Sequence, residues 1–144
     1  MSDFLSALKI SGSGLSAQRT RVNLASSNLA NAESTRGPDG QPYHRRDAVM
    51  APVSFEAELG GGAPDSGAAQ GVAVTQVVED QTPGKKVYLP GHPDADGDGF
   101  VTFPNVNPIN ETVNLMTASR GYEANATAVD TLKTMAQRAV DISR

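Results

Sequence analysis

The residues best suited to chemistry are three aspartates in the segment 94–101, which reads DADGDGFV. Oxygen ligands at positions 1, 3 and 5, a glycine at position 6 and an aliphatic residue at position 8 are typical of the opening of an EF-hand calcium loop. Asp94, Asp96 and Asp98 are therefore candidate metal ligands. Position 12 of such a loop should be a glutamate that binds calcium through both oxygens, but here it is Asn105.

The segment before this acidic loop also departs from an EF-hand. Pro90 and Pro93 forbid the helix that should lead into the loop. A turn rich in Asp and Gly, joining Tyr88 and Leu89 to residues 100–103, explains the same letters with its acidic side chains in solvent. We favour the turn and keep a calcium-binding module, using the three aspartates, as the alternative function.

No other set of residues forms a coherent catalytic or cofactor site. The sequence contains no Cys, which excludes disulfides, thiolate metal sites and cysteine nucleophiles. His44 and His92 are far apart, and neither has the spacing of a metal-ligand pair. The sequence also contains no Gly-x-Ser-x-Gly elbow, phosphate-binding loop or dinucleotide-binding fingerprint. We predict that the protein is not an enzyme and takes no cofactor and no small-molecule substrate.

The composition indicates a small core and no nucleic-acid partner. Of 144 residues, 38% are hydrophobic and 5% aromatic, and the 12 Lys and Arg are scattered along a chain of net charge −4. No apolar run approaches the ~20 residues of a membrane span. The first ten residues carry an acid where a secretory signal would carry Lys or Arg. We expect a protein that stays in the cytosol or is exported without a cleaved signal peptide.

Residues 1–31 are predicted to hold a long helix from about Asp3 to Asn31. Steps of four and three residues from Phe4 select a seam in which six of eight positions are apolar or alanine: Phe4, Leu8, Ser11, Leu15, Gln18, Val22, Ala25 and Leu29. This spacing is typical of a coiled coil. Gly12 and Gly14 each weaken the helix by roughly 1 kcal/mol, and they indicate a kink or a close approach to another helix.

Residues 108–144 are predicted to form a second long helix, with Pro108 as its first residue and Asn107 as its cap. Its seam comprises Leu115, Ala118, Tyr122, Asn125, Val129, Leu132, Ala136 and Ala139. Asparagine is a poor residue for a helix interior, but on a seam it can hydrogen-bond across helices and fix their register. Asn28, Asn31 and Asn125 are candidates for this role, with helix caps and solvated positions as the alternative for such asparagines.

Residues 32–107 are predicted to form a β-rich insert. Segments 43–55, 72–79 and 86–89 have strand character, and 59–71 is a flexible loop of low complexity. The predicted fold class is α+β, in which two long terminal helices pair as a coiled-coil-like core and carry the insert between them. Within the first strand segment, residues 45–47 favour a solvated edge whose charges pair locally, with an interface charge pair as the alternative.

The insert is too small to cover two helices of roughly 40 and 50 Å. A seam side chain left in water forgoes about 1.5–3 kcal/mol, so we expect neighbouring subunits to cover it. The predicted assembly interface is Leu8, Leu15, Val22, Asn28, Leu29, Asn31, Leu115, Tyr122, Asn125, Val129 and Leu132. A closed α+β monomer remains the alternative architecture.

Several stretches resemble one known family. SAQR at residues 16–19 and NLASSNLANA at 23–32 resemble the N-terminal motif shared by flagellar rod, hook and hook-associated proteins. VYLPGHPDAD at 87–96, with GFV at 99–101 and PNVNP at 104–108, is similar to proximal-rod proteins of the FlgC type. ETVNLMTASRGYEAN at 111–125 is similar to the same type.

The resemblance implies a structural subunit of the flagellar basal-body rod, the torque-transmitting shaft that crosses the periplasm. It implies helical packing against copies of itself and other rod proteins, with the terminal helices forming the inner tube. It also implies delivery by the flagellar type III export apparatus, and no metal role for the acidic turn.

Overall fold

The computed structural model describes residues 2–54 and 70–142. In that part of the chain the elements are α1 Ser2–Ala30, β1 Arg46–Ser54, β2 Gln70–Glu79, β3 Lys85–Tyr88, β4 Phe100–Phe103 and α2 Pro108–Ile142. β1 pairs with β2 in one two-stranded sheet, and β3 pairs with β4 in another. The α+β fold class is confirmed, because two long helices flank a small β region.

The helices end where the sequence indicates. At the start of α2, Asn107 Oδ1 accepts the Ile109 N–H at 3.0 Å and the Asn110 N–H at 3.4 Å, which confirms the predicted cap. At the end of α1, Asn31 Nδ2 donates to the Ser27 carbonyl at 2.9 Å. The predicted loop 59–71 lies outside the described residues, except for Gln70 and Gly71, which begin β2.

The described chain divides into two compact units. Unit 1 comprises residues 2–20, 49–54, 70–76 and 117–142, and unit 2 comprises residues 21–48 and 77–116. Both helices and the first two strands contribute residues to each unit. The predicted division of the chain into two terminal helices and an insert stays a prediction.

In unit 1 the two helices approach each other closely. A β-carbon at Gly14 would lie 2.8 Å from Asn125 Oδ1, and one at Gly121 would lie 3.0 Å from Gln18 Cδ. The residue numbers rise along one helix as they fall along the other, so the helices are antiparallel here. The close approach predicted from the glycines is confirmed at Gly14, whereas Gly12 has open space around it.

The first residues of β2 in unit 1 are fixed to α1 by a serine. Ser13 Oγ accepts the Val72 N–H at 3.1 Å and donates to the Ile10 carbonyl at 2.7 Å. Gly71, just before Val72, is buried. Gln70 and Gly71, which were predicted to belong to the flexible loop, are therefore part of a strand.

Unit 2 contains a β-hairpin formed by β3 and β4. The strands are antiparallel, with Val87 opposite Val101 and Tyr88 opposite Phe100. Val101 is fully buried, while the Tyr88 and Phe100 rings meet edge to face with their centroids 5.3 Å apart. Side chains alternate between the faces of a strand, so the hairpin has one buried face and one exposed aromatic face.

The buried apolar residues of the described chain are few and small. They are Ala17, Ala25 and Ala118 in the helices and Val101 in the hairpin. A chain of this composition builds little core, as its 38% hydrophobic content predicts. No helix in residues 2–54 and 70–142 combines the length and the apolar character needed to cross a membrane.

Substitution by alanine should affect stability differently at the two glycines of α1. Gly12→Ala should raise the free energy of unfolding by about 1 kcal/mol, because alanine favours helix and nothing obstructs the new methyl group. Gly14→Ala should lose that gain, because the methyl group would displace the Asn125 carboxamide, which donates to the Gly121 carbonyl at 2.8 Å. Urea unfolding measures both, and equal stabilisation would contradict the close approach.

Candidate functional site

The predicted assembly residues are mostly only partly covered within one chain. Those that are half-buried are Leu8, Leu15, Val22, Leu29, Asn31, Leu115, Asn125, Val129 and Leu132, whereas Tyr122 is exposed. Asn28 differs from the rest, because its side chain is 1% exposed. The role of these residues in assembly stays a prediction, and Asn28 already has its partners inside the chain.

Asn28 uses its whole hydrogen-bonding capacity within unit 2. Its Nδ2 donates to the Arg46 carbonyl at 2.8 Å and to Glu111 Oε2 at 3.0 Å. Its Oδ1 accepts the Arg46 N–H at 2.9 Å and the Tyr43 hydroxyl at 2.9 Å. A buried carboxamide with two donor and two acceptor contacts is fully satisfied. It thereby joins α1 to the start of β1 and to α2.

Glu111 lies at the centre of the same cluster, on the first turn of α2. Its side chain is 2% exposed, and its Oε1 accepts Arg45 Nε at 2.7 Å. Asn114 Nδ2 contributes a weaker contact to the same oxygen at 3.4 Å. A buried carboxylate requires such a partner, because an uncompensated charge in the interior is costly. Its place near the helix N-terminus is also favourable for a negative charge.

Arg45 extends the cluster to the end of β2. Its N–H donates to Asn105 Oδ1 at 2.8 Å, and its carbonyl accepts the Asp80 N–H at 2.8 Å. Asn105 Nδ2 in turn donates to the Asp80 carbonyl at 2.9 Å. We call the connected set Asn28, Tyr43, Arg45, Asn105 and Glu111 the polar junction. It ties together four parts of unit 2, namely α1, the segment before β1, the segment between β4 and α2, and the start of α2.

The charge of Arg45 is kept by its two carboxylate partners. Burial of the guanidinium group acts to lower the pKa of Arg45, but hydrogen bonds to Glu111 and Asp47 outweigh burial, and the pKa is raised. The Arg45–Asp47 pair spans 3.1 Å, with Asp47 largely in solvent. Arg46 pairs with Glu79 at 2.8 Å. The predicted local pairing of residues 45–47 is therefore observed, and Arg45 also reaches the buried Glu111.

The polar junction is suited to holding structure rather than to reaction. Its polar groups bond to one another, and the described residues include no buried side-chain nitrogen or oxygen without a partner. Sequence reasoning selected Asn28 but missed Glu111, Asn105 and Tyr43 as members. A glutamate just inside a helix start was the available signal for Glu111, whereas nothing in the sequence indicated which arginine it would meet.

The acidic turn between β3 and β4 uses its carboxylates for the protein's own contacts. Asp94 accepts the Thr35 hydroxyl at 2.8 Å and pairs with Arg36 at 3.5 Å. Asp96 Oδ1 accepts the N–H groups of Asp98 and Phe100 at 3.0 and 2.8 Å. Within the described residues, no three acidic or histidine side chains converge to hold a metal ion. The predicted turn is observed with Asp96 and Asp98 exposed, but the expectation that all its acidic side chains lie in solvent is wrong for Asp94, which is 21% exposed.

An exposed apolar stripe lies at the start of α2, on a helical face where the sequence analysis placed no interface residue. It consists of Ile109, Val113 and Met116, and their exposed fractions are 75%, 56% and 51%. Steps of four and three residues place all three on one helical face. The predicted seam through Leu115 follows the same spacing from a different starting residue. The stripe is therefore a second face of α2, which the sequence analysis did not select.

Family models of flagellar proteins match both ends of the chain. The model described as Flagella basal body rod protein matches residues 8–38, and that described as Flagellar basal body rod FlgEFG protein C-terminal matches residues 98–142. The first match contains Asn28, and the second contains Asn105 and Glu111. Three of the five residues of the polar junction therefore lie within matched segments.

Curated relatives match nearly the whole chain. The flagellar basal-body rod protein FlgC of Escherichia coli O6:H1 is 47% identical over 91% of each chain. The FlgC proteins of Borreliella burgdorferi and Bacillus subtilis are 40% and 39% identical, over 95% of each chain for the first and over 96% of this chain and 97% of the relative for the second. These proteins are named as rod components, not as enzymes.

Because of the polar junction, we expect the same substitution at two asparagines of α1 to change the free energy of unfolding by very different amounts. Asn28→Asp should lower the free energy of unfolding by about 3 kcal/mol or more, because it replaces a donor with a carboxylate oxygen facing Glu111 and the Arg46 carbonyl. Asn23→Asp, the same change at an exposed position, should shift it by at most ~0.5 kcal/mol. Chemical unfolding of both variants is the measurement, and equal effects would contradict the junction.

Proposed function

Given that the chain belongs to the FlgC family of flagellar basal-body rod proteins, and is thus a structural subunit of that rod, we propose that it polymerises through its terminal helices into the axial drive shaft. The partners in this proposal are copies of the same chain and the other rod proteins. The role is mechanical, and no chemical step is part of it.

The observation that carries the proposal is the exposed apolar stripe of α2. Ile109, Val113 and Met116 together present a continuous apolar face to water. Each such side chain gains about 1.5–3 kcal/mol when it is fully covered. In unit 1, four more apolar side chains of the helices are exposed: Leu5, Tyr122, Met135 and Val140. In a rod, neighbouring subunits would cover these apolar side chains.

In this proposal, torque is transmitted through contacts between subunits that are spread along the two terminal helices. Half-buried seam residues such as Leu8 and Leu132 lie on helices of 29 and 35 residues. Many contacts spread over a long helix share a load, and no single contact has to resist it. The polar junction complements them, because a buried hydrogen-bonded cluster holds α1, β1 and α2 in one register within unit 2.

Export by the flagellar type III apparatus and a place in the proximal, periplasmic part of the rod complete the proposal. The support is the similarity to FlgC proteins over more than nine-tenths of the chain. Delivery of the subunit to the growing rod through this apparatus would need no cleaved signal peptide.

The stripe provides the test of assembly. Ile109→Glu and Met116→Glu should each reduce incorporation into isolated basal bodies by at least about tenfold, because a charge is costly once neighbours remove it from water. The stability of the isolated chain should change by at most ~0.5 kcal/mol, since both positions are exposed. Quantitative blotting of purified basal bodies, together with swimming speed, measures the effect.

Asn110→Glu is the matched control, because Asn110 is exposed on the same turn but does not belong to the stripe. It should be incorporated at close to the wild-type level. Equal incorporation of the variants at 109, 110 and 116 would show that the stripe faces solvent in the rod.

A further inference from the structure

The hairpin of unit 2 exposes an aromatic surface that the terminal-helix contacts do not involve. Tyr88 and Phe100 are 61% and 40% exposed, and Leu89 beside them is also exposed. The whole sequence contains only three Tyr, four Phe and no Trp. Aromatic side chains are the commonest anchors of protein interfaces. Two of these few aromatic residues therefore lie partly in solvent, although their rings contact each other.

This surface is held in one conformation before any partner arrives. Gly99 has φ +80°, and a β-carbon there would lie 2.9 Å from Tyr88 Cε2, so the turn fits closely against the ring. The Leu89 N–H donates to the Gly99 carbonyl at 2.9 Å, and Asp96 accepts the Phe100 N–H at 2.8 Å. A preformed surface loses little entropy on binding.

The hairpin carries opposite charges at its two ends. Lys85 and Lys86 begin β3, whereas Asp96 and Asp98 lie in the turn beyond the aromatic pair, and all four side chains are exposed. Within residues 2–54 and 70–142, Lys86 and Asp98 form no ion pair. The surface is thus complementary to itself when two copies are placed end to end.

We propose that the hairpin is a second contact between copies of this chain, in which the aromatic and acidic turn of one copy packs against the lysine end of the next. Lysine stems can cover the Tyr88 and Phe100 rings while their ammonium groups meet the ring faces and the carboxylate of Asp98. This inference rests on the proposed rod function, and it adds a contact outside the terminal helices.

The two ends of the hairpin differ, so the contact is head to tail. Such a contact leaves each copy with one unused end of each kind, and it repeats along an open helical assembly instead of closing as a dimer. This is the geometry that a rod requires. A different axial protein at the same surface would not need to match the lysine end of this chain.

Disulfide cross-linking of the full chain tests the contact, because the native sequence has no Cys. Gly97→Cys places a thiol at the turn, where nothing lies within 4 Å, and Thr102→Cys places one opposite Lys86. Under oxidation, a mixture of the two should cross-link about tenfold faster than either variant alone. Glu33→Cys, exposed after α1, is the control and should cross-link slowly with both.

Charge-reversal variants test whether a second copy of this chain binds the hairpin surface. Lys86→Glu in the Thr102→Cys chain, or Asp98→Lys in the Gly97→Cys chain, should each slow the 97–102 cross-link about tenfold, and the two together should restore it. Failure to restore, or equal rates for all cysteine pairs, would overturn the proposal and leave another protein as the partner of this surface.

The rod assignment is tested separately by blotting basal bodies for the wild-type chain. Its presence there without the 97–102 cross-link would overturn the hairpin contact and leave the rod function standing. Its absence from basal bodies, with the cross-link formed, would overturn the rod function and leave the contact standing.

Discussion

The hydrogen bond between Asn28 and Glu111 joins the two helices inside the polar junction of unit 2. It spans 3.0 Å between a residue near the end of α1 and one on the first turn of α2, both excluded from water. The apolar core of the described chain is three alanines and a valine, so hydrophobic burial alone specifies register weakly. Buried polar groups are costly in any arrangement that leaves them unpaired. Specificity therefore comes from polar contacts where apolar volume is scarce.

A small core also explains why so much apolar surface remains outside. Exposed side chains such as Ile109, Met116 and Tyr88 are what a single chain of this composition cannot cover. We propose that this exposed surface makes the contacts between subunits in the assembly. The same scarcity thus accounts for the polar junction within the chain and for the predicted dependence on neighbours.

Sequence patterns predicted the helices well, because caps and spacing are local signals. Asn107 was predicted as a helix cap, Pro108 as the first helical residue and Gly14 as a point of close approach, each from its position in the local sequence. The hairpin and its acidic turn were also predictable, since prolines excluded the EF-hand helix. The polar junction was not, because Arg45 and Glu111 are 66 residues apart and their pairing depends on tertiary packing. The stripe at Ile109 was missed because two frames of the same spacing fit α2, and only the structure shows which side chains remain exposed.

A density map of an intact basal body, at a resolution that places side chains, would show what covers the stripe. We expect Ile109, Val113 and Met116 to be covered by another subunit while Asn28 and Glu111 remain bonded within the chain. A map in which the stripe faces open solvent, with the subunit held in place by other surfaces, would contradict this expectation.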